Sequence, residues 1–132
     1  MMNFNNVFIV DDDLVFHFIM KKLFAKTNIN VNTSYFFNGS EAIDDLKNKL
    51  NQQSAVPDLI LLDINMPICD GWQFLEEFKK LKHFLKKEIM VYLVSSSDDI
   101  SDIKKSEEYK SEVQQYFNKP MTIESFQKIF RA

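Results

Sequence analysis

Short apolar runs alternate along the chain with longer stretches in which apolar residues recur every three or four positions. Val7-Phe8-Ile9-Val10 is the first compact run, cut off by Asp11-Asp12-Asp13. Val15, Phe16, Ile19, Met20, Leu23 and Phe24 then recur at helical spacing, predicting a helix with one wide apolar face. Asp13 stands where it can cap that helix and suit its dipole. His17 and His83 lie on predicted helices and are expected to be solvated.

Residues 31–37 are β-branched and aromatic, a second strand; Asn38-Gly39-Ser40 turns the chain, and Ala42, Ile43, Leu46 and Leu50 mark a second helix. A polar loop over 51–56 leads into Leu59-Ile60-Leu61-Leu62, four apolar residues between Asp58 and Asp63. Such a run suits a strand buried on both faces. Phe74, Leu75, Phe78, Leu81 and Leu85 predict a third helix, with Glu76 and Lys80 paired outside. A fourth strand over 89–94 stops at Ser95-Ser96-Ser97. A fourth helix over 98–110 has few apolar positions (Ile100, Ile103, Tyr109), and Asp98 and Asp99 suit its first turn. A fifth strand over 113–117 leads through Asn118-Lys119-Pro120 to a last helix, capped by Thr122 and bearing Ile123, Phe126, Ile129 and Phe130.

Strand and helix in strict alternation predict an α/β domain, a parallel sheet with helices on both faces. Parallel crossovers are right-handed, so few topologies remain. At 132 residues and 45% apolar content, one domain over 1–132 can bury a core without metal or disulfide staples. The net charge of −3, with no basic stripe, argues against direct nucleic-acid binding. No apolar run is long enough to span a membrane and the N-terminus lacks signal-peptide layout, so a soluble cytoplasmic protein is expected. Cys69 is alone and has no basic neighbour to activate it, so it reads as incidental.

All strands of a parallel sheet end along one edge, where ligands bind. Here that edge collects Asp11 and Asp12, Asp63, Ser95 and Lys119. Each alone reads as a cap or turn; the set reads as a site. Crowded carboxylates repel and raise one another's pKa unless a cation intervenes. Oxygen donors without His or Cys select a hard ion, and Mg²⁺ fits if water completes its shell. With Lys119 as a point charge and a Ser hydroxyl as donor, the pocket could accept a phosphoryl group, one carboxylate acting as nucleophile.

The strand-end segments Phe8-Ile9-Val10-Asp11-Asp12-Asp13, Leu62-Asp63-Ile64-Asn65-Met66-Pro67 with Asp70-Gly71, Leu93-Val94-Ser95-Ser96 and Tyr116-Phe117-Asn118-Lys119-Pro120 occur in this order. In this the chain resembles the receiver domain of two-component response regulators over essentially its full length. The resemblance implies a flavodoxin-like (βα)5 fold with strand order 2-1-3-4-5. It implies Asp63 as phospho-acceptor from a phosphohistidine of a sensor histidine kinase or histidine phosphotransfer protein. Asp11, Asp12, Asp63 and the backbone carbonyl of Asn65 would hold Mg²⁺, Asp11 mostly through water. Lys119 would meet the phosphoryl oxygens and precede a cis Pro120. Ser95 and Tyr116 would be the switch pair, and Asn65 and Ser97 would influence dephosphorylation. The implied protein catalyses only its own phosphorylation and dephosphorylation, and passes its signal through the fourth helix, fifth strand and fifth helix to a separate target, with no output domain of its own. Two departures stand out: no small residue precedes the fifth strand in Tyr109-Lys110-Ser111-Glu112-Val113-Gln114-Gln115, and Asn118 replaces a usually apolar residue.

Two other readings compete. Asp11-Asp12-Asp13-Leu14-Val15 also matches the Asp-x-Asp-x-Thr/Val motif of haloacid-dehalogenase-type phosphatases, where Asp11 would be the nucleophile and Asp13 the acid/base. That reading leaves Asp63-Ile64-Asn65-Met66-Pro67 unexplained and finds no acidic strand after Lys119. The third reading is a receiver-like interaction module that is never phosphorylated; the intact acidic cluster, Ser95 and Lys119 speak against it.

Overall fold

Five strands, Asn6–Val10 (β1), Asn32–Phe36 (β2), Leu59–Leu62 (β3), Met90–Ser95 (β4) and Val113–Asn118 (β5), form one parallel sheet in the order β2-β1-β3-β4-β5. The structure, a computed structural model, describes residues 4–96 and 100–130. The helices Leu14–Thr27 (α1), Gly39–Asn48 (α2), Gly71–Leu81 (α3), Ile100–Glu107 (α4) and Ile123–Phe130 (α5) follow the strands in turn. The expected fold class and strand order are both present.

Strand periodicity divides the core. Leu59 and Leu61 face a cluster with Val7, Ile9, Phe16, Met20, Phe126 and Ile129, beneath α1 and α5. Ile60 and Leu62 face the other cluster, with Phe8, Val10, Ala42, Leu46, Phe74 and Phe78 beneath α2 and α3. All four β3 side chains are therefore buried, as an apolar run without alternation requires. Burying each contributes about 1.5–3 kcal/mol, so β3 is a rigid rod that ends at Asp63.

Side-chain caps hold the loops at the carboxyl edge. Asp13 Oδ1 accepts the Val15 N–H at 2.9 Å, and Asn38 Oδ1 accepts that of Glu41 at 2.9 Å. Asp70 and Gln73 exchange hydrogen bonds as a capping box at the head of α3. Thr122 Oγ1 accepts the Ser125 N–H at 3.1 Å, capping α5 as expected.

Several details differ from the sequence expectation. His17 is buried, not solvated, because it lies one turn after Asp13 on the stripe that also carries Met20 and Phe24. α3 ends at Leu81, and a 3-10 turn, Lys82–Phe84, separates it from Leu85. A second such turn, Gln53–Ala55, lies in the polar loop before β3. Glu76 pairs with Lys79 and Glu77 with Lys80, rather than Glu76 with Lys80; Glu76 also accepts the Tyr109 hydroxyl at 2.7 Å, which draws it aside. The unusual approach to β5 takes the form of a bulge: Val91 pairs with Val113 and Tyr92 with Gln115. The skipped Gln114 turns its side chain inward, and its Oε1 accepts the Val91 N–H at 2.7 Å. α4 buries none of its residues, in keeping with its thin apolar stripe, and Tyr109 lies beyond its end. Ser97, Asp98 and Asp99 lie outside the described residues.

Candidate functional site: an acidic pocket at the carboxyl edge of the sheet

The strand order sets β1 beside β3, and the two aspartates that end them become neighbours. The Asp11 N–H donates to the Phe36 carbonyl and the Asp63 N–H to the Val10 carbonyl, each at 2.9 Å. Both residues thus prolong the ladder and share its rigidity. Asp11 and Asp63 are buried, Asp12 is exposed, and one carboxylate oxygen from each lies within 4.8 Å of the others.

Lys119 reaches this cluster from the far side of the sheet. Its N–H donates to the Ser95 carbonyl at 2.9 Å, tying the end of β5 to that of β4. Its Nζ lies 2.7 Å from Asp11 Oδ2 and 3.9 Å from Asp63 Oδ1. The ammonium also rests 4.8 Å from the Phe16 ring centre, so α1 helps to place it. The Lys119-Pro120 bond is cis, as the resemblance implied. Ser95 is fully buried at the end of β4. Tyr116, opposite Leu93 in the β4–β5 register, packs half-buried against the α2/α3 core.

The loop after β3 is tightly folded. The Gly71 N–H returns to the Ile64 carbonyl at 2.8 Å and the Gly39 N–H to the Cys69 carbonyl at 3.0 Å. A Cβ on Gly71 would stand 2.6 Å from the Asp63 carbonyl oxygen, so only glycine allows α3 to start this close to the acidic pocket. Ile68 has φ 70° and is 82% exposed, and the Cys69 N–H closes a three-residue turn on the Pro67 carbonyl at 2.7 Å. Burial first, then the Asp70 and Glu77 charges, push the Cys69 thiol upward in pKa, consistent with an inert cysteine. Asn65 is exposed in the same loop.

The electrostatics follow from burial and crowding. Burial foremost, and then the Asp11 charge, push the Asp63 carboxyl up to about 7 against the pull of Lys119 and the Ile64 N–H. Asp11 is also raised, by burial, while Lys119 and the Asp13 N–H oppose the rise. The donors are all oxygen, anionic and one-sidedly exposed at Asp12. They fit a hard divalent ion that keeps part of its water. Asp13 is not turned toward this cluster; its carboxylate caps α1.

Two contributors were not legible as site residues. Phe16 had a place on the apolar stripe of α1 but nothing to connect it with Lys119. His17 Nε2 donates to the Asp11 carbonyl at 2.6 Å; its spacing from Asp13 was the available signal.

Comparison with known proteins agrees with this geometry. The family model for the response regulator receiver domain matches residues 7–131. A two-component response regulator from Cytophaga hutchinsonii superposes with a TM-score of 0.82 at 30% identity, covering 97% of this chain and 95% of that one. The phosphorylated cyanobacterial phytochrome response regulator RcpA superposes with a TM-score of 0.75 at 28% identity, covering 95% and 87% of the two chains. The probable methanogenesis regulatory protein FilR2 of Methanothrix harundinacea is 23% identical over 122 residues, 92% of this chain and 76% of that protein. With parallel strands in the order 2-1-3-4-5 and acidic strand ends gathered around a lysine, the chain belongs to the response regulator receiver domain family of two-component signalling.

Proposed function

We propose that the chain accepts a phosphoryl group on Asp63 from a phosphohistidine of a sensor histidine kinase or histidine phosphotransfer protein. The observation that carries this reading is the position of Lys119 Nζ, 2.7 Å from Asp11 and 3.9 Å from Asp63, within a cluster of three carboxylates. A carboxylate oxygen of Asp63 attacks phosphorus, the phosphorus–nitrogen bond of the donor breaks, and its electron pair leaves with the imidazole. Lys119 is placed to meet the phosphoryl oxygens as charge builds on them, and the Ser95 hydroxyl to donate a hydrogen bond once the group is attached. Asp11, Asp12, Asp63 and the Asn65 carbonyl would hold Mg²⁺, which supplies positive charge against the incoming phosphoryl group. Water later attacks the acyl phosphate and restores Asp63, so the protein catalyses only its own phosphorylation and dephosphorylation. RcpA, a relative of similar fold, was crystallised in phosphorylated form.

The signal leaves through α4, β5 and α5. α4 buries none of its side chains, and weakly anchored elements are the natural movers. Ser95, at the end of the strand before α4, and Tyr116 on β5 form the link, and a separate protein reads the altered surface. Among the described residues no helix is long and apolar enough to cross a membrane, and the cytoplasm is where such a kinase would present its phosphohistidine.

The test is labelling by a small phosphodonor such as acetyl phosphate, with and without Mg²⁺. Labelling that needs Mg²⁺ and disappears in Asp63→Asn supports the reading. Labelling that survives Asp63→Asn but is lost in Asp11→Ala would instead favour phosphatase-type chemistry on Asp11; no labelling at all would leave an interaction module.

A further inference from the structure

His17 is a buried polar side chain that phosphoryl chemistry leaves unused. It is 4% exposed on α1, and its Nε2 lies 2.6 Å from the backbone oxygen of Asp11. A carbonyl oxygen only accepts, so Nε2 carries the hydrogen and donates it. Nδ1 is buried without a hydrogen-bond partner among the described residues. The rings of Tyr35 and Phe37 flank the imidazole, with centroids 5.1 and 5.0 Å away. A phenylalanine would suit this aromatic surrounding and leave no nitrogen unpaired. What histidine adds is one hydrogen bond, to the peptide that joins Asp11 to Asp12.

That peptide is where the pocket meets the backbone. The Asp11 N–H is held by Phe36, its Oδ1 accepts the Asp13 N–H at 2.9 Å, and its Oδ2 faces Lys119 at 2.7 Å. These contacts fix one side of Asp11 and its carboxylate. The carbonyl side is held by His17, and the orientation of that carbonyl sets the direction in which the chain continues to Asp12. Asp12 is exposed, so the backbone rather than packing aims its carboxylate.

We propose that His17 is a positioning residue: by donating Nε2–H to the Asp11 carbonyl it locks the Asp11-Asp12 peptide and aims Asp12 at the cation position shared with Asp11 and Asp63. The inference rests on the reading of the acidic pocket as a Mg²⁺ site. Tyr35 and Phe37 extend the support to the end of β2, so the metal-binding loop is braced by its neighbouring strand as well as by its own helix. Groups that orient metal ligands are commonly worth an order of magnitude in affinity.

The test compares Mg²⁺ affinity by calorimetry with the thermal unfolding midpoint of the metal-free protein. His17→Phe fills the aromatic surrounding without a donor, and His17→Gln restores an amide N–H near the place of Nε2. Leu81→Ala, at the far end of α3, is the control for general loss of stability. His17→Phe is expected to bind Mg²⁺ roughly tenfold more weakly while its metal-free midpoint falls no further than that of Leu81→Ala, and His17→Gln to recover most of the affinity. Leu81→Ala is expected to lower the midpoint and leave the affinity as it was. If His17→Phe does not fold, His17→Leu provides the same comparison. Wild-type affinity in the donor-less variant, or equal loss in His17→Gln and His17→Phe, overturns the positioning role while leaving the Mg²⁺ site intact. A wild-type protein that takes up no Mg²⁺ overturns the site itself, and the positioning role with it.

Discussion

Trp72 and Tyr109 stack with ring centroids 5.6 Å apart and planes 22° from parallel, joining α3 to the segment that follows α4. Tyr109 is 7% exposed and its hydroxyl donates to Glu76 at 2.7 Å. Lys79 lies over the Tyr109 ring and Lys105 of α4 over Trp72. Since α4 buries no side chain of its own, this aromatic pair is a main tether at its end. Burial, and then the bond to Glu76, push the Tyr109 phenol up to about 12. Tyr109→Ala is expected to cost about 2–4 kcal/mol in urea unfolding. It should also shift the emission of Trp72, the single tryptophan, to the red. Tyr109→Phe keeps the stack, loses one hydrogen bond worth about 1 kcal/mol, and leaves the emission in place.

The crowded carboxylates make stability depend on pH in a definite direction. The Asp63 carboxyl is raised from 3.8 to about 7 in the folded chain. The folded state therefore holds a proton that the unfolded chain has already lost across that window. Stability from this group is complete below the unfolded value and declines as pH rises toward 7. In metal-free buffer, Asp63→Asn is expected to be more stable than wild type at pH 8, on the order of 1–3 kcal/mol, with the difference shrinking toward pH 4. Thermal melts across that range in EDTA provide the check, and an advantage that grows on acidification would contradict the sign.

Lys119 faces two aspartates, so its loss should be felt in both chemistry and stability. Lys119→Met leaves Asp11 buried without its cation and is expected to cost about 1–3 kcal/mol near neutral pH. Protonation of Asp11 relieves the penalty, so the gap to wild type should narrow as pH falls. Labelling by acetyl phosphate should drop by roughly a hundredfold or more. A variant that labels at the wild-type rate would remove Lys119 from the reaction.

Gly71 brings α3 against the end of β3. A Cβ there meets the Asp63 carbonyl oxygen at 2.6 Å and the Ile64 Cα at 2.9 Å, both backbone atoms that cannot turn aside. Gly71→Ala is expected to destabilise by about 2–4 kcal/mol and to impair phosphorylation through displacement of Asp63. Gly39, whose added Cβ would meet the Cys69 sulfur at 2.8 Å and the Cys69 carbonyl oxygen at 2.9 Å, provides a comparison, and Cys69→Ala should ease only the first of these contacts in Gly39→Ala.

Much of the architecture was legible because its signals are local. The apolar run Leu59-Ile60-Leu61-Leu62 identified a strand covered on both faces, and the core divides along it by simple alternation. Asp13 and Thr122 were readable as caps because capping depends on a residue and the next turn of its own helix. The strand-end residues could be enumerated for a similar reason: in a parallel sheet, position at the end of a strand is position at one edge.

Local pattern along the chain is therefore enough for the list of elements, the residues that terminate them, and the family pattern they compose. Tertiary structure decided which of those residues touch. Lys119 comes to Asp11 from another part of the sheet, and Glu76 is drawn from Lys80 by a tyrosine 33 residues away. His17, flanked in the chain by Phe16 and Phe18, is expected to be solvated, yet the end of β2 closes over its ring and its hydrogen bond returns to Asp11. Helical spacing places a side chain on a face; burial and hydrogen-bond partners depend on what other segments bring to that face. An apolar run meeting a carboxylate marks the end of β3 in the sequence, but the charge and close glycine beside Asp63, and the brace on Asp11, exist only once the sheet has formed.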